Sequence, residues 1–106
     1  MEPVPAGSKF YYTSSNGGSS VIIKPADNVS GVIIRTGIFS AQYGAVVSTG
    51  TSIPLYINDV KEVLMAIVAS AVPHQFQYPI YLPPGFGLWT FGKNGGVIAN
   101  ITYDLL

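Results

Sequence analysis

The chain has 106 residues, of which only 9% are charged, and its five basic and five acidic side chains give a formal net charge of zero. The basic residues are spread singly, whereas phosphate binding needs clustered Lys and Arg, so we expect no nucleic-acid partner. The absence of cysteine excludes disulfides and thiolate metal ligands. A near-zero charge with 48% hydrophobic residues favours association with other subunits.

The first eight residues, "MEPVPAGS", predict an extended N-terminal arm (residues 1–8), because Pro3 and Pro5 remove backbone donors and fix an extended path. Such an arm is either disordered or laid on a neighbouring subunit. It lacks the basic region followed by an apolar region that is typical of a signal peptide. The longest apolar run, Val63 to Val72, is about half the length of a membrane span, so we also expect no membrane partner.

Short strands are predicted from residue 9 onwards. The segments 9–14 and 19–25 flank "NGG" (16–18), a hairpin turn signal, and "ADNVSG" (26–31) is a turn cluster. Strands at 31–40 and 41–50 follow, and Gly37 in the first of them indicates a bulge or bend. In 52–59 the alternation of Ile53, Leu55 and Ile57 predicts one buried face.

The segment from residue 60 to residue 72 is ambiguous. Its Leu, Met, Ala and Glu content suits a helix, whereas the alternation of Val63, Met65 and Ile67 suits a strand. We favour the strand because every neighbouring segment is β. Strands at 76–82, 87–92 and 97–106 complete the chain, and a second "NGG" (94–96) predicts that the last two form a hairpin.

Eight or nine short strands spaced about ten residues apart predict an all-β fold. We expect residues 9–106 to form a single antiparallel β-sandwich domain with jelly-roll-like topology. The alternation within the segments predicts the following core members: Ile22, Ile33, Ile57, Ile67, Leu88 and Ile101.

The stretch "YPIYLPPGFGLWTF" (78–91) is the densest aromatic segment of the chain. Pro83, Pro84 and Gly85 predict a turn between two strands, because proline presets φ and glycine supplies a positive φ. A phosphate loop would need a third glycine and a following helix, and a membrane wedge would need flanking basic residues. An exposed aromatic surface remains as the alternative. The candidate interface residues are Val4, Tyr11, Tyr12, Tyr78, Tyr81, Phe86 and Trp89.

No set of residues in the sequence predicts catalysis. His74 is the only histidine, so a zinc site could be completed only by carboxylates, which is not the usual ligand set, and we interpret His74 as an exposed or hydrogen-bonding loop residue. Asp59 and Glu62 form the only close acidic pair, and a solvated turn explains them better than a glycosidase pair. The sequons at Asn28 and Asn100 are interpreted as chance matches. We therefore predict no enzyme activity, no catalytic residue, no metal and no cofactor.

Three segments carry a resemblance to a known group of proteins: "VIIKPADNVSGVIIRTGIF", "YPIYLPPGFGLWTF" and the closing "GVIANITYDLL". The chain resembles, over about residues 20 to 106, small β-sandwich virion structural proteins of tailed bacteriophages. Those proteins pair an N-x-x-G-V-I-I-R-T segment with a late PPG-x-G-L-W turn and a final strand. The resemblance implies a symmetric, non-enzymatic component of the particle.

On this basis we expect a capsid decoration or cement subunit that stabilises the virion and is assembled in the host cytoplasm. Expected partners are copies of the chain itself, with a trimer favoured, and other virion proteins such as the major capsid protein. A neck, tail or fibre component is an alternative. Because tyrosines can also form a carbohydrate platform, a lectin-like receptor-binding or carbohydrate-binding module is a further alternative.

Overall fold

The computed structural model describes residues 3, 5–15, 18–41, 44–54, 62–67, 73–92 and 97–106. Within these ranges the chain forms strands and a single turn of 3-10 helix, Pro25–Asp27. The strands are β1 (Lys9–Ser15), β2 (Gly18–Ile23), β3 (Val32–Ala41), β4 (Ala45–Gly50), β5 (Glu62–Ile67), β6 (His74–Gln75), β7 (Ile80–Leu82), β8 (Gly87–Gly92) and β9 (Val97–Leu105).

The strands form two antiparallel sheets that pack into a sandwich. The first sheet has the order β1-β9-β3, and both β6 and β7 pair with the free edge of β3. The second sheet has the order β2-β8-β4-β5. With β6 and β7 counted as one interrupted strand, each sheet has four strands in jelly-roll order. The predicted all-β sandwich of eight to nine strands is therefore confirmed.

Neither "NGG" segment closes a hairpin, which corrects the sequence prediction. Strand β1 pairs with β9 and β2 pairs with β8, so the strands that flank the first "NGG" lie in different sheets. The second "NGG" likewise separates β8 of the second sheet from β9 of the first. In a sandwich a chain can pass from a strand of one sheet to a strand of the other, so a turn signal between two strands does not by itself make them partners.

The ambiguous segment forms a strand where the structure describes it. Strand β5 pairs with β4 and brings Ile67 opposite Ala45, both of them buried. The predicted strand 52–59 is not seen at Ser52–Pro54, where Ile53 is exposed, and the rest of it lies outside the described residues. Of the predicted strand 76–82, only Ile80–Leu82 is a strand, because the chain leaves the sheet at residues 76–79.

The core lies between the two sheets and contains most of its predicted members. Ile22, Ile67, Leu88 and Ile101 are buried, as predicted. Ile57 lies outside the described residues. Ile33 is only half-buried, because its inward-facing neighbours Val32 and Ile34 (both fully buried) place it on the other side of β3.

The irregularity predicted at Gly37 lies two residues earlier. The pairing of β3 with β9 shifts between Ile34 and Thr36, so Arg35 is the extra residue of a β-bulge. Gly37 itself pairs regularly with Ile101. It lacks a side chain because the Phe76 ring lies beside it, 2.7 Å from where a Cβ would be.

The predicted turn at Pro83–Phe86 is confirmed and is held by a buried asparagine. Phe86 N donates to Pro83 O (3.1 Å), and Gly85 has φ of 87°, as a type II turn requires. The Asn28 side chain, 2% exposed, donates from Nδ2 to Pro83 O (2.8 Å) and Phe86 O (2.9 Å). Its Oδ1 accepts from Gly31 N (2.8 Å). One amide thus joins the β2–β3 connection to the β7–β8 turn.

Replacing Asn28 with Asp should destabilise the fold by about 3 kcal/mol. The change removes both donated hydrogen bonds and places a carboxylate against the Pro83 and Phe86 carbonyl oxygens. Urea unfolding followed by circular dichroism measures the loss. The same change at the exposed Asn100 is the matched control and should stay within about 0.5 kcal/mol of wild type. Equal losses at the two positions would contradict the structural role of Asn28.

Candidate functional site

The outward-facing side of the first sheet is the main surface candidate, and we call it the outer face. Strand alternation and register place five large apolar side chains on it: Phe10, Tyr12, Ile38, Tyr81 and Ile98. Phe10 is 82% exposed and Tyr12 is 61% exposed, and the other three are also exposed. Single exposed apolar residues are ordinary, but several on one sheet face mark an interaction surface.

Polar groups between these apolar side chains are largely satisfied within the chain. The hydroxyls of Thr36 and Thr102 lie 2.7 Å apart and share a hydrogen bond. Arg35 Nε donates to Asp104 Oδ2 at 2.9 Å, forming the ion pair found among the described residues. The outer face therefore presents apolar area with its local charges already neutralised.

The end of the N-terminal arm is attached to the same sheet. Gly7 N donates to Thr102 Oγ1 (2.9 Å), and Ser8 N donates to Asp104 Oδ1 (2.7 Å). The Ser8 hydrogen bond first, and then Arg35, lower the pKa of Asp104 below its ordinary value, because both favour the charged carboxylate. Pro5 and Ala6, by contrast, are exposed. The last two residues of the predicted arm thus lie on their own sheet rather than on a neighbour.

The structure places six of the seven candidate interface residues, in three environments. Tyr12, Tyr78 and Tyr81 are exposed. Tyr11 and Phe86 are half-buried and pack against the core. Val4 lies outside the described residues. Trp89 is only 1% exposed, which removes it from the surface candidates.

Trp89 is buried on the side of the second sheet that faces away from the first. Its neighbour Leu88 belongs to the core between the sheets, so alternation points the indole to the other side. There the ring lies over Gly50 and Gly87, which pair directly across β4 and β8. A Cβ on Gly87 would lie 2.7 Å from Trp89 Cζ3. The sequence pattern predicted the alternation of side chains in β8, but it did not predict that the indole of Trp89 lies over two glycines.

A cavity of about 240 Å³ lies beside this indole and is lined in part by Thr49, Thr51 and Glu62. Trp89 Nε1 and Ser48 Oγ are buried and have no hydrogen-bond partner in the part of the chain that the structure describes. The two residues pair directly across β4 and β8, so they share one side of the sheet. Buried polar atoms of this kind are commonly satisfied by ordered water.

Two clefts flank the segment that leaves the first sheet between β6 and β7. One, of about 410 Å³, is lined by Arg35, Thr36 and Ile38 on one side. The other, of about 250 Å³, is lined by Leu64 and Met65. Both clefts are closed by the same four residues, Gln75 to Tyr78. Sequence reasoning missed the clefts because it interpreted this segment as a continuous strand.

The residues considered for chemistry do not come together. His74 is half-buried in β6 rather than exposed in a loop, and its Nε2 has no partner among the described residues. Asp59 lies outside those residues. Within the same ranges no three His, Asp or Glu side chains are grouped to hold a metal ion. Nor does any helix there have the length and apolarity to span a membrane. The burial of Asn28 supports the interpretation of its sequon as a chance match.

Comparisons of the chain with protein-family models, with curated proteins and with solved structures found no match in any of the three.

The contact between the arm and Asp104 should be visible in a pH titration. Because the native-state pKa of Asp104 is lowered, its carboxylate stabilises the fold at neutral pH, and this contribution is lost as the pH falls through the lowered pKa. The amide resonance of Ser8 should titrate with that pKa in ¹⁵N-resolved NMR spectra. In Asp104→Asn the titration should disappear, whereas Asp27→Asn should leave it unchanged. A Ser8 resonance that does not respond to pH would contradict the contact.

Gly87, which lies against Trp89, and Gly85, in the preceding turn, should differ in their response to alanine. Gly87→Ala should cost about 3 kcal/mol, since the new methyl would meet Ile23 O (2.6 Å) and the indole. Gly85→Ala has open space and should cost about 1 kcal/mol, from its positive φ alone. Urea unfolding followed by the fluorescence of the single tryptophan measures both. Equal costs would show that the indole does not lie against Gly87.

Proposed function

We propose that this chain is a non-enzymatic structural protein of a tailed-bacteriophage virion, a capsid decoration or cement subunit that attaches through the outer face. The observation that carries the proposal is the set of exposed apolar side chains on that face, led by Phe10 and Tyr12. The proposal that the chain belongs to a virion rests on the resemblance in sequence. The jelly-roll order of the sheets is compatible with this proposal, since jelly rolls include capsid domains.

The outer face is large enough for a specific interface. The molecule measures 34 × 32 × 19 Å, so each broad side of the sandwich covers roughly 1,000 Å², and an ordinary specific interface buries about 800 Å² per partner. Burial of apolar surface contributes about 25 cal/mol per Å² before the costs of association are subtracted. A contact that uses most of this face therefore has the area of an ordinary specific interface.

The electrostatics of the outer face indicate what kind of surface it meets. Arg35 and Asp104 neutralise each other at 2.9 Å, so a partner need not supply a compensating charge. An apolar or weakly charged surface, including that of a second copy, is the complementary one. We therefore propose a homo-oligomer, with a closed trimer favoured, that binds other virion proteins such as the major capsid protein.

The exposed part of the N-terminal arm would add contact area beyond the sheet. Gly7 and Ser8 hold the base of the arm at the end of β9, beside Asp104. The preceding residues Pro5 and Ala6 are exposed and start from this edge of the outer face. They are thereby placed where a partner docked on the outer face would reach them.

The double variant Phe10→Ser/Tyr12→Ser tests the proposal. We expect the solution mass to fall to that of a monomer and binding to purified particles to drop at least about tenfold, with the fold intact by circular dichroism. Val29→Ser is the matched control, because Val29 is 79% exposed but lies in the β2–β3 connection.

Deleting residues 1–6 should weaken particle binding without unfolding the sandwich. A wild-type protein that is monomeric at high micromolar concentration and absent from particles would overturn the proposal.

A further inference from the structure

The segment Phe76–Pro79 projects from the sheet on a fixed base. Phe76 N donates to Gly37 O at 3.1 Å, and the Phe76 ring contacts Phe39 edge-to-face with centroids 5.3 Å apart. Phe39 is fully buried, so this aromatic pair ties the projecting segment to the core. Pro79 then restricts the backbone before β7 begins.

Tyr78 is the most exposed tyrosine of the described chain, at 70%, and it lines both clefts of about 410 and 250 Å³. Tyr78 thus borders a cleft on either side, and the hydrogen bond of Phe76 to Gly37 anchors the segment. The larger cleft is within the size range of small-ligand sites, which is about 300 to 1,000 Å³. Little ordering would be required of the protein on binding, because the segment is already fixed.

The polar groups around Tyr78 are hydrogen-bonding groups rather than an excess of charge. The larger cleft presents the amides of Gln75 and Gln77, the Thr36 hydroxyl and the Arg35 guanidinium, whose Nε is engaged by Asp104. Among its described lining residues there is no carboxylate. Amide and hydroxyl groups both donate and accept hydrogen bonds, so they match a ligand whose groups also do both.

We infer that the clefts beside Tyr78 bind a carbohydrate. A sugar ring has an apolar C–H side that stacks on an exposed aromatic ring, and hydroxyls that donate and accept along its edge. Tyr78 supplies the ring, and Gln75, Gln77 and Thr36 supply the edge contacts. A polyanion such as nucleic acid would need several cations, whereas Arg35 is the one cation among the described residues that line this cleft.

This site goes beyond the proposed structural function. Its larger cleft shares Ile38 with the outer face, but the site depends on Tyr78, whereas attachment depends on Phe10 and Tyr12. A subunit that is held on a particle can also present a glycan site to its surroundings. Several copies on one particle would raise the effective affinity of a weak single site through multivalency. The two inferences can therefore fail separately.

Titration of the ¹⁵N-labelled protein with cellotriose, chitotriose and sialyllactose tests the site, with sialyllactose as the acidic probe for Arg35. We expect saturable NMR shifts from at least one of these sugars at residues 36–38 and 75–79. Tyr78→Ala should weaken that binding about tenfold, the scale of one lost stacking contact, and Tyr78→Phe should retain it. Val29→Ala is the control, because Val29 is 79% exposed but lies in the β2–β3 connection, outside both the clefts and the outer face.

The carbohydrate inference is overturned if none of the three sugars produces saturable shifts, or if Tyr78→Ala binds as well as wild type. If the sugars produce no shifts and Tyr78→Ala alters the solution mass, Tyr78 belongs to a subunit contact instead of a carbohydrate site. Loss of sugar binding in Tyr78→Ala with unchanged solution mass and particle attachment supports the site and leaves the structural proposal intact.

Discussion

The position of β9 between β1 and β3 is the constraint on which the first sheet and its outer face depend. The strand joins residues from opposite ends of the chain, as in the pairing of Tyr11 with Ile101. Its register turns Val97, Ala99 and Ile101 inward, where each is at most 2% exposed. A slip by one residue would exchange this apolar set with Ile98, Asn100 and Thr102. The core therefore sets which side chains form the outer face.

The local structure of the chain is readable from its sequence, whereas the partnership of the strands is not. Alternation and turn residues place most strands within a few residues of their observed positions, and the PPG turn is found with its positive-φ Gly85. The hairpins predicted at the two "NGG" segments were wrong, because a turn signal depends only on nearby residues and does not specify which strands pair. Whether β1 next meets β2 or β9 depends on which pairing buries more apolar surface, and this is a property of the whole sandwich.

The candidate sites differ in how far the sequence predicts them. Exposed Tyr12 and Tyr81 follow from alternation once the inward face is known. The larger cleft beside Tyr78 does not, because it arises where the β-bulge at Arg35 and the departure of residues 76–79 from the sheet meet at β3. The local sequence pattern predicts neither irregularity at its observed position. Gly37 predicts a bulge in the correct region of β3, but the glycine itself leaves room for the Phe76 ring.

The two broad sides of the sandwich differ in how much aromatic surface they expose, and this difference distinguishes one side of the molecule from the other. On the second sheet, Trp89 and Phe91 point away from the first sheet, yet they are only 1% and 4% exposed. On the first sheet, Phe10 and Tyr12 occupy corresponding outward positions and are 82% and 61% exposed. In a chain with so few charges, this uncovered aromatic area is the part that gains most from a partner. Attachment by the first sheet would then leave the covered second sheet facing away from the partner, while the clefts at the β3 edge would border the contact.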